Sequence, residues 1–99
     1  MNQFKLSVRA KQDLKSIAVF TQSKWGSEQR NIYLTQFDQA FRLLANKPSL
    51  GKSCEEIAKD YFKYPQDSHV IFFKKVNPNN ILIIRILHKR MDYTSNLNG

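Results

Sequence analysis

Six side chains carry most of the reactive chemistry in this chain. Arg85, His88, Lys89, Arg90 and Tyr93 cluster in the last fifteen residues, and His69 stands nineteen positions before His88. Arginine and lysine hold phosphate, while histidine or tyrosine moves a proton, so together these types could cleave RNA. Alternation works against the tightest pair. On a regular strand Arg85 shares a face with Ile81, Ile83 and Leu87, and His88 shares the other with Leu82, Ile84 and Ile86. A bulge would bring them together. Without one, His88 makes a local hydrogen bond and Arg85 pairs with an acid such as Asp92.

Other catalytic patterns are missing. Cys54 is the sole cysteine and the two histidines are far apart, so neither a metal site nor an internal disulfide is expected. Three scattered glycines cannot make a phosphate-binding loop. No catalytic residue and no cofactor is therefore assigned.

Two helices and a set of strands must position these residues. Phe4, Leu6 and Val8 alternate with polar neighbours, the period of a half-buried strand. Ser7 offers a helix cap. Ala10, Leu14, Ile17, Thr21 and Trp25 then recur at steps of three and four, a helical stripe that Gly26 ends. Ser27 offers a second cap. Tyr33, Phe37, Ala40, Phe41 and Leu44 form the next stripe, stopped by Pro48. Residues 8–46 should thus be an antiparallel helical hairpin. The pattern weakens from Ser49 to Asp60, which reads as a loop with one turn near Glu55–Ile57.

The rest is β. Tyr61–Tyr64 forms a short strand stopped by Pro65, and residues 69–76 and 81–88 pair as a hairpin through the turn Asn77–Asn80. These last two strands are apolar on both faces, the mark of central strands covered above and below. One helical hairpin covers one face only, so a partner is expected on the other. The fold class is α+β: an N-terminal strand, a two-helix antiparallel hairpin, then a three-strand antiparallel β-meander. The expected core is Leu14, Ile17, Trp25, Tyr33, Phe37, Phe41, Val70, Phe72, Ile84 and Ile86.

Charge and size bound the function. Ninety-nine residues suit one domain, with 41% apolar residues enough for a small core. Sixteen Lys and Arg against eight Asp and Glu give +8, spread over both halves of the chain, which favours acidic partners. Nothing reads as a signal peptide, and no apolar run nears the roughly 18 residues of a membrane span. A cytoplasmic protein without membrane contact is expected. A nucleic-acid-binding module has charge in its favour but no stacking platform or reading helix, so no sequence-specific nucleic-acid binding is expected.

The ordered set Leu6-Ser7, Ala10, Asp13-Leu14, Ile17, Trp25-Gly26, Tyr33, Phe41, Leu44-Ala45 and Pro48 continues through Gly51-Lys52 and Glu56-Ile57. It ends in Ser68-His69-Val70-Ile71-Phe72-Phe73, Arg85-Ile86-Leu87-His88 and Met91-Asp92. Over residues 4–93 this resembles the ParE toxins of type II toxin–antitoxin systems, within the RelE/ParE superfamily. The resemblance implies a single RelE/ParE-like domain over residues 1–99 and a role in plasmid or chromosome stabilisation. It also implies inhibition of DNA gyrase, with the A subunit as target, and neutralisation by a ParD-type antitoxin.

RelE-like members instead cut messenger RNA on the ribosome, which is the alternative. Here the central strand is apolar where a nuclease would place bases, which fits the ParE pattern. Like ParE toxins in general, this chain is expected to depend on its C-terminal segment. Lys89, Arg90, Asp92, Tyr93 and Leu97 are therefore the candidates for gyrase inhibition. Arg85, His88, Phe73 and Ile71, on or beside the sheet, are the candidates for antitoxin binding. The antitoxin segment should be acidic, disordered alone, and fold onto this domain as an amphipathic helix, with a strand added at a sheet edge as a further mode.

Overall fold

Ser7 begins the architecture. Its Oγ accepts the Ala10 amide at 3.0 Å, capping the first helix, and its hydroxyl donates to the Ile84 carbonyl at 2.7 Å, tying that helix to the last strand. The computed structural model describes residues 3–91 and Leu97. Among them, β1 (Gln3–Leu6) leads into helices α1 (Val8–Trp25) and α2 (Ser27–Asn46). A 3₁₀ turn (Pro48–Leu50) follows, then β2 (Lys52–Ser53), β3 (Phe62–Gln66), β4 (His69–Asn77) and β5 (Asn80–His88). The sheet order is β1-β5-β4-β3-β2, with β1 parallel to β5 and the other pairs antiparallel. The expected strand, helical hairpin and meander are all present.

One residue separates the helices. Gly26, at φ 96°, donates to the Gln22 carbonyl and accepts from the Arg30 amide, so it closes α1 and opens α2 together. That positive φ suits glycine because no Cβ resists it. Ser27, expected as the cap of α2, is instead its first helical residue, and no side chain caps that end.

Two apolar layers flank the sheet. Ala10, Ile17, Phe37, Ala40, Phe41, Leu44 and Ala45 of the helices pack on Ile71, Phe73, Ile81, Ile83 and Ile86. On the opposite face Val70, Phe72 and Leu87 bury with Cys54, flanked by Ile57, Tyr61 and Leu97. The second face was expected to need a partner. Instead the chain covers it itself, because the loop from Cys54 to Tyr61 folds back with Cys54 N–H bonded to the Tyr61 carbonyl at 2.9 Å.

Four further expectations change. Trp25 is 65% exposed rather than core: spacing assigns a residue to a helix face, but the buried positions of α1 end at Thr21. Ile84 is half-buried, because the β4–β5 register slips between Phe72 and Phe73, pairing Phe72 with Arg85 and Phe73 with Ile83. The extra residue bulges the strand and lets Ile81, Ile83 and Ile86 all face the helices. Val8 belongs to α1, not to the first strand. Finally β3 runs through Pro65 to Gln66. Since β2 pairs only with Phe62 and Lys63, this is an edge position that proline tolerates. The expected turn is present, with the Asn79 amide bonded to Asn77 Oδ1 at 2.9 Å.

Candidate functional site

The sheet brings its two histidines together. His69 opens β4, His88 closes β5, and the antiparallel register makes them direct partners with ring centroids 5.4 Å apart. Tyr33 of α2 reaches down from the hairpin, its hydroxyl 2.8 Å from His69 Nδ1. Phe37 packs edge-on to the His69 ring at 5.9 Å. The Arg90 amide donates to His88 Nδ1 at 3.2 Å.

Burial sets the electrostatics of this cluster. It lowers the His69 pKa from its ordinary 6.5, His88 adds to the depression, and Asp13 and Asp67 oppose it. Burial likewise raises the Tyr33 pKa, helped by Asp67, while a backbone hydrogen bond from Ser68 pulls it down. His69 is therefore held neutral near pH 7.

A depressed histidine destabilises the fold in acid. The unfolded chain takes up its proton near pH 6.5, and the folded chain only at lower pH. Stability should hold above that point and fall as pH drops from 6.5 toward the folded pKa. Urea midpoints across about pH 5 to 8 check this, and His69→Gln should flatten the slope. A midpoint that rises on acidification through the window would contradict it.

Arg85 stands apart from the histidines. Its Nε donates to Asp13 Oδ2 at 2.7 Å and its second guanidinium nitrogen to Asp13 Oδ1 at 3.0 Å. This hydrogen bond raises the Arg85 pKa. The expected acid was Asp92; the observed one is Asp13, brought close because α1 lies alongside β5. The bulge falls before Arg85, so alternation from Arg85 to His88 is regular and keeps them on opposite faces. The structure thus joins His69, His88 and Tyr33, with Arg85 engaged elsewhere.

The remaining candidates are distributed unevenly. Ile71 and Phe73 are 0% exposed beneath the helices, so in this conformation no partner reaches their side chains. They face the layer the hairpin covers, not an open one. Lys89 and Arg90 are exposed just past β5, and Leu97 packs against the Cys54 layer. Asp92 and Tyr93 lie outside the described residues. Among the described residues no three His, Cys, Asp or Glu side chains could share a metal ion. No described helix is long and apolar enough to cross a membrane.

Sequence reasoning placed Tyr33 in the core and missed it as the partner of His69. It also missed Asp13, although a signal existed: Asp13 sits three residues after Ala10 and four before Ile17, on the buried face of α1.

Comparison with known proteins identifies this architecture. Residues 4–93 match the family model described as the ParE toxin of the type II toxin–antitoxin system parDE. The chain is 33% identical over 96 residues to Toxin ParE1 of Mycobacterium tuberculosis, covering 97% of this chain and 98% of the relative. It is 31% identical to Toxin ParE1 of Caulobacter vibrioides, covering 98% and 99%. In structure it is similar to a chain of the chromosomal ParDE system from P. aeruginosa, with a TM-score of 0.74 at 18% identity. That match covers 89% of this chain and 96% of the other. The fold is that of a toxin from a toxin–antitoxin pair. The chain belongs to the ParE toxin family.

Proposed function

We propose that this chain acts in the cytoplasm as a non-enzymatic inhibitor of DNA gyrase, bound through the A subunit, and is held inactive by a ParD-type antitoxin. The observation that carries the reading is the ParE family match across residues 4–93. The engagement of Arg85 by Asp13, away from His88, supports it by removing the phosphate-holding cation from the histidine pair. Lys89 and Arg90, with Asp92, Tyr93 and Leu97, are the proposed gyrase-facing residues, and Arg85 and His88 remain the antitoxin-facing ones at the sheet.

Purified toxin should block supercoiling by gyrase and leave messenger RNA intact in a translation-coupled cleavage assay. Antitoxin should relieve the block. Truncation is a poor probe of the tail, because it removes Leu97 from the Cys54 layer. The double variant Lys89→Glu/Arg90→Glu alters exposed positions instead. It should weaken gyrase inhibition about tenfold or more with the melting temperature nearly unchanged. Full inhibition by that variant would remove these two residues from the contact, and ribosome-dependent cleavage of RNA would replace the gyrase reading altogether.

A further inference from the structure

Lysines line up across the sheet on the face that the helices leave. Lys5 of β1 pairs with Leu82 of β5, and Leu82 pairs with Lys74 of β4, so the three form one row. Their neighbours Phe4, Ile81, Ile83 and Phe73 pack toward the helical hairpin, which places this row on the opposite side. Two residues along β4, a second row joins Phe72 to Lys63 of β3, and Lys63 to Lys52 of β2. Strands β1, β4, β3 and β2 thus each give one lysine to the same face. With neighbouring strands about 4.8 Å apart, the line Lys5–Lys74–Lys63–Lys52 spans roughly 19 Å.

These cations are held without partners of opposite charge. Among the described residues none of the four lysines is in an ion pair. Lys5 and Lys52 are exposed, and Lys63 and Lys74 are half-buried. Lys52 and Lys63 stand directly opposite each other, a juxtaposition of like charges that costs stability and that a bound anion relieves. Acids border one end only. Glu55, Glu56 and Asp60 belong to the covering loop, where Glu56 raises the Cys54 pKa and Lys63 lowers it. The end that carries Lys5, Lys74 and the Asn77–Asn80 turn holds no acid in its strands or its turn.

The pattern selects among anions. A lysine is a point charge on a flexible stem, which suits phosphate, whereas a carboxylate is gripped best by the arginine fork. Arg85 is the arginine of these rows, and its fork already holds Asp13. A protein partner needs apolar anchors, and between the lysines this face offers the half-buried Leu82. A single nucleic-acid strand needs exposed rings on which its bases stack, and the ring in these rows, Phe72, is buried. The regular phosphates of a duplex are tracked by charge alone, without reading sequence.

We propose that this lysine face tracks the backbone of double-stranded DNA, so that the toxin grips gyrase and the DNA that gyrase holds. The proposal rests on the reading that gyrase is the target, because an inhibitor docked on a DNA-bound enzyme has a duplex beside it. Four phosphate contacts correspond to a slope of about −3.6 in log affinity against log salt.

The test uses the full-length toxin and a fluorescent duplex of about 20 base pairs, its affinity followed by anisotropy across salt. Lys5→Gln/Lys74→Gln should flatten the slope by about 1.8 and weaken binding roughly tenfold or more at low salt. Lys11→Gln/Lys15→Gln removes the same charge from α1, two positions to either side of Asp13 and so turned away from the sheet, and should leave the slope unchanged. The Lys5/Lys74 variant should also block supercoiling more weakly, while its binding to the isolated A subunit without DNA is unaltered. Lysine footprinting needs no substitution and stands if the double variant misfolds. Duplex DNA should protect Lys5 and Lys52 of the unaltered toxin from acetylation and leave Lys11 and Lys15 reactive. Equal slopes in the two double variants, or no protection, overturn the proposal and leave the gyrase reading intact. Competition by poly-glutamate equal to that of DNA at matched charge assigns the face to an acidic protein, and tighter binding of single-stranded DNA assigns it to single strands; either overturns it. Unaltered toxin that binds the duplex as expected but never blocks supercoiling overturns the gyrase reading and, with it, the link to gyrase-held DNA.

Discussion

Phe73→Ala is expected to cost about 4 kcal/mol of folding stability, the range for deleting a fully buried phenylalanine. For a chain this short that is a fall of roughly 20 °C in melting temperature. The Phe73 ring is 0% exposed, stacks on Phe62 with centroids 5.7 Å apart, and lies in the layer shared with Phe37, Phe41 and Ile83. Gly51 sits against the same ring, where any Cβ would collide with it. The space left by the ring is therefore walled by fixed neighbours on several sides.

The two sites should couple. Gly51→Ala alone is destabilising, because the ring it meets has nowhere to go. In the Phe73→Ala background the same methyl fills part of the cavity and should recover stability, a departure from additivity that a double-mutant cycle reads directly. Val76→Ala on the same strand, 59% exposed, should change stability by less than about 0.5 kcal/mol. An interface role for Phe73 predicts the opposite pattern: an unmoved melting temperature and weaker antitoxin binding. Thermal melts of the four variants decide between the two.

Phe73 also shows what alternation along a strand leaves open. Apolar residues on both faces of β4 and β5 correctly marked central strands, and both have a neighbour on each side. Periodicity, however, says only that both faces are covered, not by what. The covering segment from Cys54 to Tyr61 has no period of its own, being held by turns such as Ile57 N–H to the Cys54 carbonyl. The hairpin was legible because Ser7 and Gly26 are local signals, sufficient without knowing the tertiary partner. The bulge at Ile84 was not, since it compensates register between strands and leaves no mark in either one. The parallel pairing of β1 with β5 is likewise a long-range fact, set by where α1 returns the chain. Among site residues, His69 and His88 were visible by type, but their meeting depends on a register fixed by the turn at Pro78–Asn79.

Asp13→Ala is expected to cost about 3 kcal/mol, as removing one partner from a sheltered ion pair does. The Asp13 and Arg85 side chains are each only 15% exposed, so the pair is far from a surface contact screened by water. Its role extends beyond the charge. β1 pairs with β5 only as far as Ile83, so the second half of β5 is an open edge. Asp13 Oδ2 accepts the Ile86 amide of that edge at 3.0 Å while holding Arg85 with both oxygens. One side chain of α1 thus satisfies a strand edge that no strand covers. Alanine removes the Asp13 oxygens that the guanidinium and an edge amide share. Asparagine keeps one acceptor oxygen and loses the charge, so Asp13→Asn should fall between the two. Arg85→Leu in the Asp13→Ala background should cost less than the sum of the single changes, because both single changes break the same pair. The bared edge also invites pairing between chains, so Asp13→Ala should self-associate at concentrations where the unaltered toxin does not. Urea titrations measure the stabilities and size-exclusion chromatography the association. An Asp13→Ala chain within about 0.5 kcal/mol of the unaltered protein would mean that the carboxylate neither seals the edge nor holds Arg85 at any net gain.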